Sequence, residues 1–184
     1  MGNLLNISRI ESHRVKDKPE KVDLVRVIRE VVVECNDKIE EQEVKIKLNS
    51  PSHFTITYDK ELIREVVSNL IANAIKFNKQ NGVVVIHLEK HNTKWLLQVA
   101  NTGLVIPKKD QAHIFERFYR ASDVKDKFSG TGLGLHIVQE YAKKWHGNVS
   151  FKSPAHFSER SMKGDKLRGT IFTLQLPVSA KQTK

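Results

Sequence analysis

Residues 61–76 carry two stripes on what reads as a single helix, and together they constrain this chain more than any other segment. At about 100° per residue, Ile63, Val66, Val67, Leu70 and Ala74 share one face, the pattern of a helix laid against a core. Glu65, Asn69, Asn73 and Lys76 fall on a neighbouring face at spacings of 4, 4 and 3. Asparagine is a poor helix former and prefers helix ends, where its carboxamide can bond to free backbone groups. Two of them one turn apart beside an apolar face need a use. One use is a pair of hydrogen bonds to a neighbouring helix. The other is a carboxamide oxygen offered to Mg²⁺, with Lys76 alongside to neutralise phosphate. Magnesium suits the second use because it keeps several waters and takes few protein oxygens beside nucleotide phosphates.

The rest of the chain supplies the setting for that helix. Its 39% hydrophobic and 28% charged residues describe an ordinary globular domain and exclude disorder. No apolar run approaches the roughly 18–20 residues of a membrane-spanning helix. The opening Met-Gly-Asn-Leu-Leu-Asn has no signal-peptide pattern, and Asn6 stands where a myristoylation motif needs Ser or Thr. The lone Cys35 cannot form an internal disulfide, so a reducing cytoplasm is the expected setting. The net charge of +10 raises the question of nucleic acid. The cations are spread along the chain, with the clearest excess in residues 152–184, and no nucleic-acid-binding motif accompanies them. They read as a solvated surface that favours anionic ligands or an acidic protein partner.

Periodicity orders the elements. Leu4, Leu5, Ile7 and Ile10 look like the last turns of an apolar-striped helix, and residues 13–22 read as an exposed linker containing Pro19. Asp23 caps a helix running to about Glu41, with Leu24, Val27, Ile28, Val31 and Val32 facing inward. Strands at 44–49 and 54–58 flank a Ser-Pro-Ser turn, and Asp59 caps the helix at about 60–78. Asn81-Gly82 opens an alternating pair at 83–90 and 94–101. Residues 102–131 are mostly irregular, with one short helix near 109–117; a loop of that length points to function or disorder. A helix at about 133–145, ended by His146-Gly147, and strands at 148–152 and 170–176 complete the chain. The expected fold is an α+β two-layer sandwich: a mixed, mainly antiparallel sheet covered on one face by three helices.

Two further segments carry chemistry. Ser129-Gly-Thr-Gly-Leu-Gly134 stands directly before a helix, where glycines let backbone N–H groups approach phosphates and the helix N-terminus favours anions. Such clusters also serve as ordinary turns; the spacing is not that of a P-loop, and no strand precedes it as a Rossmann fingerprint requires. In Val99-Ala-Asn-Thr-Gly-Leu-Val-Ile-Pro107, Asn101 could accept from an adenine amino group at a strand end, or be a simple turn asparagine.

In order and spacing these segments resemble the motifs of the sensor histidine kinases. Asn69-Leu-Ile-Ala-Asn-Ala-Ile-Lys-Phe77 resembles their N box, Asn101 to Pro107 their first glycine box, Ile114-Phe-Glu-Arg-Phe-Tyr-Arg120 their F box, and Gly130-Thr-Gly-Leu-Gly-Leu135 their second glycine box. Leu5-Asn-Ile-Ser-Arg-Ile-Glu11 is similar to the end of the dimerisation helix before their catalytic domain. The resemblance covers nearly the whole chain and implies a Bergerat fold with a long ATP lid. It divides the chain into a helix end and linker (1–22), a catalytic domain (23–178) and a tail (179–184).

What the resemblance implies can be carried residue by residue. Asn73 would ligate Mg²⁺, with Asn69 supporting metal or phosphates; Lys76 would contact phosphate and Phe77 pack on adenine. Asn101 would read the adenine amino group with help from Thr170, with Gly103 and Ile106 of the same box also against the nucleotide. Gly130, Thr131, Gly132, Leu133, Gly134 and Leu135 would cradle the phosphates. Residues 108–130 would form the lid, anchored by Phe115 and Phe118, and Arg120 and Lys127 would reach the γ-phosphate as it closes. Gyrase-like and Hsp90-like ATPases place a water-activating Glu where this chain has Asn69, so the domain is expected to keep ATP for transfer to a histidine.

Two departures bear on nucleotide binding. Asn101 stands where Asp is usual, which removes charge-assisted strength from the adenine contact. Val105 replaces a glycine and should stiffen the start of the lid. None of His13, His53, His87, His91, His113, His136, His146 and His156 has the phosphoacceptor context. The expected partners are therefore ATP, a dimerisation domain bearing the acceptor, and a response regulator, within a longer homodimeric, membrane-anchored protein. A nucleotide-binding pseudokinase, an anti-sigma-like interaction module and, more remotely, a nucleic-acid-binding module are the competing readings.

Overall fold

The computed structural model describes residues 17–125, 127–164 and 166–179, and in it two aspartates start the helices that carry the core. Asp23 accepts from the Val25 N–H (3.1 Å) at the head of α1 (Leu24–Glu34). Asp59 accepts from Glu61 and Leu62 (3.1 and 3.2 Å) at the head of α3 (Lys60–Lys76). Such caps satisfy backbone donors that the first turn leaves free and are worth about 1 kcal/mol each. The helix expected to run unbroken to Glu41 instead breaks at Cys35. There the Cys35 N–H reaches back to Val32 (3.1 Å), and a separate short helix α2 (Asn36–Glu41) follows. The break lets Ile39 join the core.

Residues 19–22, expected as linker, form a strand. β1 (Pro19–Asp23) runs antiparallel to β3 (Thr55–Asp59), with Val22 buried opposite Ile56. One buried valine among charged neighbours gives no alternation to read, which is why the strand was not visible in the sequence. The C-terminal segment joins the same ribbon: Thr57 donates to Val178 (3.1 Å).

The main sheet holds β2 (Lys45–Asn49), β4 (Val83–His91), β5 (Lys94–Asn101), β6 (Asn148–Phe157) and β7 (Leu167–Pro177) in the order β2-β4-β5-β7-β6. Only the β2–β4 pair is parallel. α1, α3 and α5 (Gly134–Lys144) share one core with Val84, Ile86, Leu97, Val99 and Leu174 on one face of this sheet. The expected sandwich is therefore the observed one. α3 buries Ile63, Val66, Val67, Leu70, Ile71, Ala74 and Ile75. Burying a large aliphatic side chain is worth roughly 1.5–3 kcal/mol, so this stripe fixes the rotation of α3 and leaves the asparagine stripe beside it off the core.

The opposite face is covered by the chain itself. β6 and β7 extend well beyond their expected ends, with a bulge between Lys152 and Ala155. Their far ends bring Ala155 and Phe157, with Met162 and Leu167, over Val83, Val85 and Ala100.

Tyr58, Trp95 and Trp145 form an edge-to-face cluster, with centroids 6.2 and 4.9 Å from Tyr58, and the Tyr58 hydroxyl donates to Pro177 (2.6 Å). Asp17 accepts from the Trp145 indole (3.2 Å) and pairs with Lys144. Residues 108–117 form no regular helix. Successive i to i+3 bonds (Asp110 to Pro107, His113 to Asp110, Glu116 to His113) wind them as tight turns that seat Ile114 and Phe115 on the core. The regular helix of this segment is α4 (Ser122–Lys125). Among the described residues no helix is long and apolar enough to cross a membrane.

Candidate functional site

A cleft of about 700 Å³ opens where α3, the end of β5, the 104–131 segment and the start of α5 converge. Its floor is the polar stripe of α3: Asn69, Asn73, Lys76 and then Phe77 all line it. Among the described residues neither carboxamide has a hydrogen-bond partner, so the interhelical-bond account of these asparagines is not the one the structure adopts. Glu65 does not line the cleft. Gly134 lies directly over Asn69: a β-carbon there would stand 2.9 Å from the Asn69 Oδ1. Glycine at this position lets the helix start approach the asparagine face.

Lys76 donates to the Ser129 carbonyl and stands beside Gly130, tying α3 to the glycine turn. Burial, then the charges of Arg120 and Lys38, hold its ammonium below the ordinary lysine pKa. Gly132 has φ +73, and a β-carbon on it would meet the Phe118 and Tyr119 backbone at 2.7 Å. Gly130, Thr131 and Leu135 line the cleft with it, but Leu133 does not. Leu133 is fully buried in the core, so the turn is pinned from below by an apolar anchor in the middle of the cradle.

The far wall begins at Asn101, 4% exposed, opposite Thr170 in the β5–β7 register. The Asn101 Nδ2 points to the Phe77 carbonyl (3.5 Å), which leaves its Oδ1 as an acceptor. Gly103, expected against the ligand, is not part of the lining. A β-carbon there would fall 1.9 Å from the Phe77 carbonyl, so this glycine lets the strand end cross the end of α3, where Leu104 donates to Phe77 (2.9 Å). Ile106 does line the cleft. A relay of hydroxyls holds it: Ile106 N–H donates to Ser153 Oγ (2.8 Å), Ser153 bonds Thr170 Oγ1 (2.7 Å), and Thr170 donates to the Leu104 carbonyl (3.1 Å). Gln111 adds bonds to the Ile106 and Ser153 carbonyls (3.0 and 2.8 Å). Sequence reasoning missed Ser153 and Gln111, because only the β6 bulge brings Ser153 to this wall.

The remaining wall is the 119–131 segment. Arg120 donates to the carbonyls of Lys125 (2.8 Å) and Phe128, so its guanidinium fastens the segment's own backbone. Lys127 lines the cleft, and the Phe128 ring meets Phe77 edge-on at 5.2 Å. Tyr119 donates to Asp110 (2.6 Å), a bond to a carboxylate that pushes the phenol up to about 12. Phe115 anchors this region on the core, 6.0 Å from Phe151, but Phe118 is 53% exposed and, among the described residues, is not part of the core.

Among the described residues four cations, Lys38, Lys76, Arg120 and Lys127, line the cleft with a single carboxylate, Asp123. Such a surface favours a polyanion. Among the described residues no group of three His, Cys, Asp or Glu could hold a metal, so any ion here would rely on the carboxamide oxygens and on the ligand. Hard oxygen donors of that kind fit Mg²⁺. The histidines behave as packing or surface groups: His53 bonds Asp23, His113 bonds Glu116, and His136 meets the Phe115 carbonyl. His13, the apolar stripe from Leu4 to Ile10 and the tail 180–184 lie outside the described residues.

A family model described as histidine kinase-, DNA gyrase B- and HSP90-like ATPase matches residues 58–180. Sensor histidine kinase YclK of Bacillus subtilis is 28% identical over 180 residues, which are 97% of this chain and 36% of YclK. The chain thus spans about a third of the length of that relative. Full-length ShkA in complex with AMPPNP shares the fold at a TM-score of 0.76 and 24% identity, over 98% of this chain and 35% of ShkA. Histidine kinase ThkA in complex with response regulator protein TrrA shares it at 0.68 and 21%, over 98% of this chain and 49% of ThkA.

Proposed function

This chain belongs to the family of histidine kinase-, DNA gyrase B- and HSP90-like ATPases, and on that premise we propose that it is the ATP-binding catalytic domain of a two-component sensor histidine kinase. It would pass the γ-phosphoryl group of ATP to a histidine on a dimerisation domain, for relay to a response regulator. The phosphorus–oxygen bond to the β-phosphate breaks, a phosphorus–nitrogen bond forms, and ADP leaves. The similarity to YclK supports the kinase reading, AMPPNP in ShkA the nucleotide, and the ThkA–TrrA complex the response regulator.

The observation that carries the reading is the pairing of Asn69 with Gly134 at the cleft floor. The position directly under the glycine turn holds a carboxamide, which is no general base, so nothing at this position would activate water against ATP. Asn73 would hold Mg²⁺ with support from Asn69, and the ion when bound would offset phosphate charge. The protein's own part is positioning and charge neutralisation, which is most of what phosphoryl transfer requires. Lys76 and the backbone of the Gly130–Gly134 turn would hold the phosphates, and Phe77 would pack on the base. Asn101 would accept a hydrogen bond from the adenine amino group at Oδ1, beside Thr170. Its amide is already turned the right way by the Phe77 carbonyl, which favours a working site over the pseudokinase alternative. Arg120 would have to leave the Lys125 and Phe128 carbonyls to meet a γ-phosphate, which couples its release to rearrangement of the lid. Residues before Asp17 would carry the end of a dimerisation helix, in a homodimeric, membrane-anchored whole.

Calorimetry with ATP and Mg²⁺, comparing the parent with Asn73→Ala, tests the site; labelled ATP with a separately made dimerisation domain tests the reaction. The expected result is binding in the micromolar range that is lost in the variant, with label on the added domain's histidine. A parent that binds no ATP overturns the reading.

A further inference from the structure

The break in the first helix at Cys35 puts one more cation on the cleft. We propose that Lys38, on α2, is a standing contact for the polyphosphate of the bound nucleotide, a role that none of the sequence motifs assigns to it. The inference rests on the cleft being an ATP site.

α2 packs on α3 and sends Ile39 into the core. The next residue back, Lys38, lines the cleft on the side of Lys76. It is exposed, and among the described residues its ammonium has no carboxylate partner. Glu40, on the same short helix, is engaged by the Asn36 amide (2.6 Å). Lys38 is close enough to help depress the Lys76 pKa, so two like charges share one wall of the cleft. Two ammonium groups over a common space repel each other until an anion lies between them. A nucleotide polyphosphate held at Lys76 and the glycine turn brings that anion.

Lys38 differs in kind from the other added cations. Arg120 is engaged by the backbone of its own segment, and Lys127 rides on that segment. Lys38 stands on a helix seated against the core, so its charge faces the cleft whether the lid is open or closed. It should therefore act on capture and affinity, graded by phosphate count, and leave lid closure alone.

The test is calorimetric titration of the parent, Lys38→Gln and Lys38→Arg with ATP, ADP and adenosine in Mg²⁺, at two salt concentrations. Lys38→Gln should weaken ATP about tenfold and ADP less, and leave adenosine unchanged, as expected for loss of one charge-assisted contact. Lys38→Arg should keep most of the affinity, and the salt dependence of ATP binding should be shallower in Lys38→Gln. Unchanged ATP affinity in Lys38→Gln overturns the inference, as does an equal loss for adenosine, which would mark a structural effect. If the parent binds ATP and Lys38→Gln binds it equally, only this inference fails. If the parent binds none of the three ligands, the ATP reading fails and takes this one with it.

Discussion

Asn69 and Gly134 meet across the floor of the cleft, with the asparagine oxygen 2.9 Å from the place a β-carbon on Gly134 would take. The contact joins the middle of α3 to the first residue of α5, so the asparagine face and the glycine turn are held in one geometry. Gly134→Ala should turn the Asn69 carboxamide aside at little cost in stability, because the crowded atom is the free end of a side chain, and should weaken ATP about tenfold through the displaced carboxamide. Adding Asn69→Ala, which removes the crowded atom, should change stability little further and should not recover binding. Thermal unfolding and calorimetry on the double-mutant cycle check both halves.

If the cleft holds ATP as proposed, Asn69→Glu would place a carboxylate beside its phosphates. Phosphate release from ATP in the isolated domain should rise about tenfold or more, because a positioned general base contributes on the order of 10²–10⁴ in full effect. A coupled phosphate assay reads it directly. A rate no higher than the parent's would mean that position 69 does not face the attacking water.

Ser153 accepts from the Ile106 N–H and bonds Thr170. Ser153→Ala leaves that backbone donor without its partner, at a cost of about 1–3 kcal/mol. The loss should be local: faster amide hydrogen exchange over residues 104–112, with the strands of the main sheet unchanged.

The pH dependence follows from Lys76. Burial, Arg120 and Lys38 lower its pKa in the folded protein. The folded domain therefore releases this proton before the unfolded chain does, and the group's contribution to stability rises as pH climbs from the depressed folded pKa toward the ordinary lysine value. Phosphate reverses the preference by favouring the ammonium. Nucleotide binding should take up a proton in that window, and affinity should fall as pH rises through it. Calorimetry in buffers of different ionisation enthalpy measures the uptake, and Lys76→Arg, which does not titrate there, should abolish it.

Much of the fold was legible because its signals are periodic. The stripe of Ile63, Val66, Val67 and Leu70, the alternation in 83–101 and the two aspartate caps are each set by local rules that packing reinforces. The break at Cys35 was not legible, since the apolar pattern of α1 continues smoothly into Ile39 and the interruption is a matter of backbone path. β1 was hidden for the opposite reason: it buries Val22 alone. In the cleft, Asn73, Lys76, Phe77, Asn101 and the glycine turn were found through their motifs, and the structure gathers them on one space. Leu133 and Gly103 do not line the cleft, and a motif does not distinguish a residue that lines a cleft from one that holds the lining in place. Ser153 and Gln111 depend on a strand bulge and had no local signal at all.

The aromatic cluster around Tyr58 has an optical consequence. The chain's two tryptophans, Trp95 and Trp145, are both in it, both almost wholly buried. Trp95 lies six residues along β5 from Asn101, about 20 Å at the rise of a strand, and Trp145 lies beyond the far end of α5 from Gly134. Indole emission from this domain should thus report global unfolding with a large red shift and stay nearly dark to a ligand in the cleft. A tryptophan placed at Phe128 would give the cleft a light of its own.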